Sequence, residues 1–144
     1  MGREMMTYAD FAENDYLFFK DAYDNNMKGT PMAALGQSIC ERYLKHIISE
    51  YANPTTAREQ TQKESILSTH NLRRLTQYIQ DKMEIEIPED VEAKIERING
   101  FYFSTRYPGD ESFIPNEKDI DKAHAAVEAT RDFTHELCKR MEAI

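Results

Sequence analysis

The chain has 144 residues, 40% hydrophobic and 31% charged, a balance that excludes disordered and fibrous classes and suits one globular domain over residues 1–144. Eighteen Lys and Arg against 26 Asp and Glu give a net charge of −8, which argues against nonspecific duplex binding but leaves room for a local basic pocket. No run approaches the roughly 18 apolar residues of a membrane span, MGREMMTYADF lacks a signal peptide's apolar core, and Met6 stands where a myristoylation motif wants Ser or Thr; a cytoplasmic protein is expected.

The first periodic segment runs from about Thr7 to Met27. Tyr8, Phe11, Ala12, Phe18, Phe19, Ala22 and Tyr23 recur at helical spacing and form a wide apolar stripe. Asp15 falls inside that stripe, so its carboxylate needs a partner or a changed protonation state. Thr30-Pro31 restarts the chain as a cap with proline in the first turn. Met32, Leu35, Ile39, Tyr43, Leu44, Ile47, Ile48 and Tyr51 then mark a second long helix, on which Glu41 and Lys45 form an i,i+4 pair in the stabilising order. ANPTTAREQTQKES is polar, contains a proline and reads as a loop of about a dozen residues.

STHNLRRLTQYIQDKM supplies a third helix, with Ser68 or Thr69 as cap and Leu72, Leu75, Ile79 and Met83 as stripe. His70 sits near its start, where open backbone N–H groups favour anions; the competing role is packing or capping. Pro88 opens a short helix with Val91, Ile95 and Ile98 inward, and MEIEI alternates for too few residues to make a strand. FYFSTRYPGDESF (101–113) interrupts the helical pattern. Tyr107-Pro108-Gly109-Asp110 reads as a type II turn with glycine at positive φ, holding Arg106 and Tyr107 in place. Arg106 suits a bidentate phosphate clamp, and Tyr102, Phe103 or Tyr107 suits base stacking; the alternative pairs Arg106 with Asp15 or Glu41. Asn116 caps the last helix, whose stripe is Ile120, Ala123, Val127, Thr130, Thr134, Leu137 and Met141. The fold class is all-α, an up-and-down bundle of four to five helices. Cys40 and Cys138 read as free core thiols, and no metal-ligand spacing is present, so neither metal nor cofactor is expected.

AENDYLFFKDA (12–22), ALGQSICERYLKHII (34–48), STHNLRRL (68–75) and STRYPGD (104–110) occur in an order that resembles the HEPN family, the higher-eukaryote and prokaryote nucleotide-binding domain. Ala12 and Asp15, Glu41 with Leu44 and Lys45, His70 with Leu72, and Arg106-Tyr107-Pro108 carry the resemblance. It implies a helical bundle, a homodimer, and a site at Asp15, Glu41, Lys45, His70, Arg106 and Tyr107, with Arg106 and Lys45 on phosphate and Tyr107 as a stacking surface. It also implies a ligand that is a nucleotide or RNA, or a partner nucleotidyltransferase of toxin–antitoxin type. The ribonuclease members of that family carry Arg, four to six residues, then His. No arginine here has such a histidine: Arg42/His46 and Arg131/His135 are one residue too close, and Glu111, Ser112 and Phe113 follow Arg106 at the required positions. Binding without nuclease activity is therefore expected, with a metal-independent ribonuclease using a non-standard Arg/His site and a protein-interaction scaffold as the alternatives.

Overall fold

The computed structural model describes residues 6–105, 108–109 and 112–143, with the side chains at 102 and 103 excluded. Those residues form helices α1 (Tyr8–Asp24), α2 (Thr30–Tyr51), α3 (Ala57–Leu67), α4 (Leu72–Asp81), α5 (Glu89–Ile98), the single turn α6 (Phe101–Ser104) and α7 (Glu117–Glu142), with no strand among them. The all-α bundle expected from periodicity is what the chain forms. Local chemistry marks its boundaries. Thr7 and Asp10 make a reciprocal capping box at α1, as Asn116 and Asp119 do at α7. At α2 the cap position is Gly29 rather than Thr30, with φ of 118° and Pro31 in the first turn.

α2 is the axis of the bundle. It packs against α1, α7, α6, α4 and α3, and α5 closes on α7. Ile39, Tyr43, Leu44, Ile47 and Ile48 of α2 are fully buried against Phe19, Leu72, Leu75, Ile95, Ile120 and Val127. The stripe on α7 is inward as expected, with Met141 half-buried at its end. Close approach is set by Gly36, where an added Cβ would lie 3.0 Å from Ala123 Cβ and 3.4 Å from a Phe19 ring carbon. Alanine there gains roughly 1 kcal/mol of helix propensity, but the facing methyl is fixed to its backbone and overpacking costs about 1–3 kcal/mol. Gly36→Ala is expected to lower stability by about 1 kcal/mol in urea unfolding.

Four further local expectations are corrected. The stripe of α1 is rotated: Ala12, Tyr16 and Phe19 are buried, whereas Phe11 and Phe18 are 54% and 67% exposed. Two overlapping stripes were compatible with helical spacing. The inner one puts the Tyr16 hydroxyl 2.7 Å from Glu128 and the Tyr23 hydroxyl 2.6 Å from Asp121, so α7 supplies acceptors that a tyrosine can use and a phenylalanine cannot.

The polar segment expected as a loop contains α3. Thr56 caps it, Glu59 reaches back to Thr55 N–H at 2.8 Å, and Lys63 donates to the Ser49 and Ala52 carbonyls at the end of α2. Only Ile66 of α3 is buried, so apolar periodicity had little to register. The cap of α4 is Asn71, not Ser68 or Thr69. Gly109 does not take the positive φ of a type II turn; instead its N–H donates to Ser112 Oγ at 3.1 Å, and that hydroxyl donates back to the Gly109 carbonyl at 2.7 Å.

Candidate functional site

Gln37, Glu41 and Lys45 repeat every four residues and therefore share one face of α2. The turn between α3 and α4 brings His70 to that face. Its Nδ1 lies 3.1 Å and 3.3 Å from the two oxygens of Glu41, and its carbonyl accepts from the Gln37 amide at 3.0 Å. Lys45 donates to the other side of Glu41 at 3.0 Å. The Glu41 and Lys45 side chains are only 13% and 7% exposed, against 57% for His70. A carboxylate this enclosed needs its cation, so Lys45 serves Glu41 and is not open to a ligand, contrary to the phosphate-contact role expected for it. Glu41 in turn holds the imidazole by one nitrogen and fixes its orientation.

His70 opens onto a pocket of about 490 Å³ formed by the α3–α4 turn, the first turn of α4 and the end of α5. Ser68, Asn71, Arg74, Asn99 and Gly100 line it as well. The first amides of α4 are already used: Leu72 N–H donates to Asn99 at 2.9 Å, and those of Arg73 and Arg74 donate to Asn71 at 3.0 Å and 3.3 Å. The helix start therefore offers an anion no open N–H at these three positions. Charge must come from side chains. Arg73 is held by Glu96 of α5. Arg74 is exposed, and no ion-pair partner for it occurs among the described residues. Sequence reasoning missed Arg74 although it lies in STHNLRRL, because nothing in that run tells its guanidinium from that of Arg73.

The remaining expected residues are not brought to this pocket. Asp15 finds its partner in Arg42 across the α1–α2 interface. Arg131 grips Glu13 with Nε at 2.9 Å and a second nitrogen at 3.3 Å, and His135 Nε2 is 2.8 Å from the same carboxylate. In each of the two close Arg/His pairs the arginine is tied to a carboxylate of α1. His46 is half-buried, lies edge-on to Tyr51 and has its pKa lowered by burial. His124 stacks on Tyr23 with ring centroids 3.9 Å apart, beside the core stripe of α7. Cys40 is buried, and burial raises its thiol pKa to about 12; Cys138 is half-buried. The expectations for Arg106 and Tyr107, and for stacking by Tyr102 or Phe103, lie outside the described residues.

A family model for the HEPN domain matches residues 59–141, more than half of the sequence. The chain belongs to the HEPN domain family. The matched stretch begins in α3 and ends in α7, so this HEPN domain has His70, Arg74 and the pocket they line inside the match, with Asp15, Glu41 and Lys45 before it. No curated protein and no solved structure matches the chain significantly. Among the described residues, no group of three or more His, Cys, Asp or Glu side chains is placed to hold a metal ion, and no helix is long and apolar enough to cross a membrane.

Proposed function

We propose that this HEPN domain binds a nucleotide or RNA phosphate in the pocket at the head of α4, without cleaving it. One observation carries the reading: an imidazole anchored by a carboxylate and an arginine with no acidic partner among the described residues line the same pocket. A guanidinium matches a phosphate bidentately, and His70 supplies a second donor. Ser68, Asn71 and Asn99 add hydrogen-bonding groups at the rim, of which the two asparagines already hold the helix start in place. The −8 chain repels a duplex at large, which favours a short single strand or a mononucleotide reaching one pocket.

Titration of the full chain with a fluorescent ten-residue RNA and with nucleoside monophosphates tests the proposal. Arg74→Ala is expected to weaken binding by about tenfold or more, as loss of one charge-assisted contact does, and His70→Ala by several-fold. Binding that survives Arg74→Ala unchanged removes the assignment. A second reading, metal-independent RNA cleavage, has one observation in its favour: Glu41 holds His70 by Nδ1, the arrangement that orients an imidazole for proton transfer. RNA left intact by the wild type with and without chelator supports binding alone. Chelator-insensitive cleavage that disappears in His70→Ala supports the enzyme.

A further inference from the structure

A second pocket, of about 350 Å³, lies between α5 and the first turns of α7 and is rich in cations. Lys94, Arg97, Lys118 and Lys122 line it with Ala125 and a single carboxylate, Asp121. Over the whole chain acids outnumber bases by 26 to 18, yet here four cations meet one acid. Asp121 is already engaged, accepting the Tyr23 hydroxyl at 2.6 Å. Asp119, the carboxylate nearest Lys122, sits at 4.0 Å and is the capping-box acceptor for Asn116 N–H at 2.9 Å. Lys94, Arg97 and Lys118 have no ion-pair partner among the described residues. Two helices thus hold four like charges together with little internal neutralisation, at an electrostatic cost that a bound anion would relieve.

We infer that this pocket binds a chain of closely spaced phosphates, either free or as the tail of a nucleoside triphosphate. Three features select that chemistry. The cations number four, matching the charge of about −4 on an ionised triphosphate. The pocket is small, so the anion has to be compact. Among the lining residues there is no aromatic ring on which a base could stack, and apolar lining is limited to Ala125 and the lysine stems. The site is separate from the His70 pocket and does not rest on the function proposed for it.

Calorimetric titration of the full chain with sodium tripolyphosphate at low salt tests the inference. Binding is expected, with inorganic monophosphate at least about tenfold weaker and affinity falling as salt screens the exposed charges. Titrated in an Arg74→Ala background, which weakens the His70 pocket, the double variant Lys118→Gln/Lys122→Gln, and separately Arg97→Gln, are expected to weaken tripolyphosphate binding about tenfold or more. Lys118, Lys122 and Arg97 are all exposed, so these variants keep the fold, and a thermal melt verifies it. Adenosine triphosphate that binds as tightly as tripolyphosphate points to the free phosphate chain; binding several-fold tighter points to the nucleotide. The inference is overturned by absence of tripolyphosphate binding, by binding that persists in the double variant, or by loss in Arg74→Ala instead. It is equally overturned if only RNA binding, and not tripolyphosphate binding, responds to the double variant.

Discussion

Replacing Lys45 with methionine is expected to cost about 3 kcal/mol of stability, near the lower end of what breaking an enclosed ion pair costs. The loss exceeds that of a surface pair because Glu41, 13% exposed, keeps its charge and loses its best neutralising neighbour. His70 remains at 3.1 Å and limits the damage, which is why the upper end of the range is not expected. A second change, Glu41→Gln on top of Lys45→Met, removes the orphaned charge and is expected to recover a good part of the loss. Urea unfolding of the two variants measures both numbers. A Lys45→Met loss below about 0.5 kcal/mol would mean the pair is solvated and that α2 does not present an enclosed anchor to His70.

The second large effect lies at the opposite face of α2. Glu13 accepts from the Tyr43 hydroxyl at 2.5 Å and from Arg131 at 2.9 Å and 3.3 Å, with His135 at 2.8 Å, so one carboxylate of α1 ties α2 to α7. Tyr43 is completely buried, and without Glu13 its hydroxyl loses that acceptor. Glu13→Ala is expected to cost about 2–3 kcal/mol, the range for stranding buried hydrogen-bonding groups. The same carboxylate gives the fold an acid sensitivity. Burial works to raise its pKa, but the hydrogen bonds from Arg131 and Tyr43 and the charges of Arg131 and His135 outweigh it and hold the carboxyl below the ordinary glutamate range. A depressed pKa contributes stability that is fully present above the unfolded glutamate value and lost as pH falls through the folded one. Between about pH 6 and about pH 3 the wild type should therefore lose more stability than Glu13→Ala does. Parallel pH profiles for the two proteins would exclude Glu13 as a source of that sensitivity.

How much was legible beforehand follows from what each element depends on. α2 and α7 carry long apolar stripes, and these read correctly because burial enforces their periodicity. α3 did not, because it is held by Thr56, by Glu59 and by Lys63 on carbonyls of another helix, none of which leaves a hydrophobic repeat. At the site, Glu41, Lys45 and His70 were named in advance and do come together. Their roles were not readable. Glu41 and Lys45 are four apart on any helix, exposed or enclosed, and only packing by neighbouring elements makes the pair an anchor. Arg74 and the cations of α5 and α7 escaped notice for a related reason, since a pocket formed by residues dozens of positions apart has no local spacing.

The amino-acid order by itself determined an all-helical chain, the Asn116 cap of its last helix and the HEPN kinship, because propensity, capping and apolar recurrence act within a few residues of one another. Tertiary structure decided which face of α1 turns inward, which carboxylate each arginine meets, and which cations stay unneutralised. Those outcomes depend on distances between helices, and a linear sequence contains no distance of that kind.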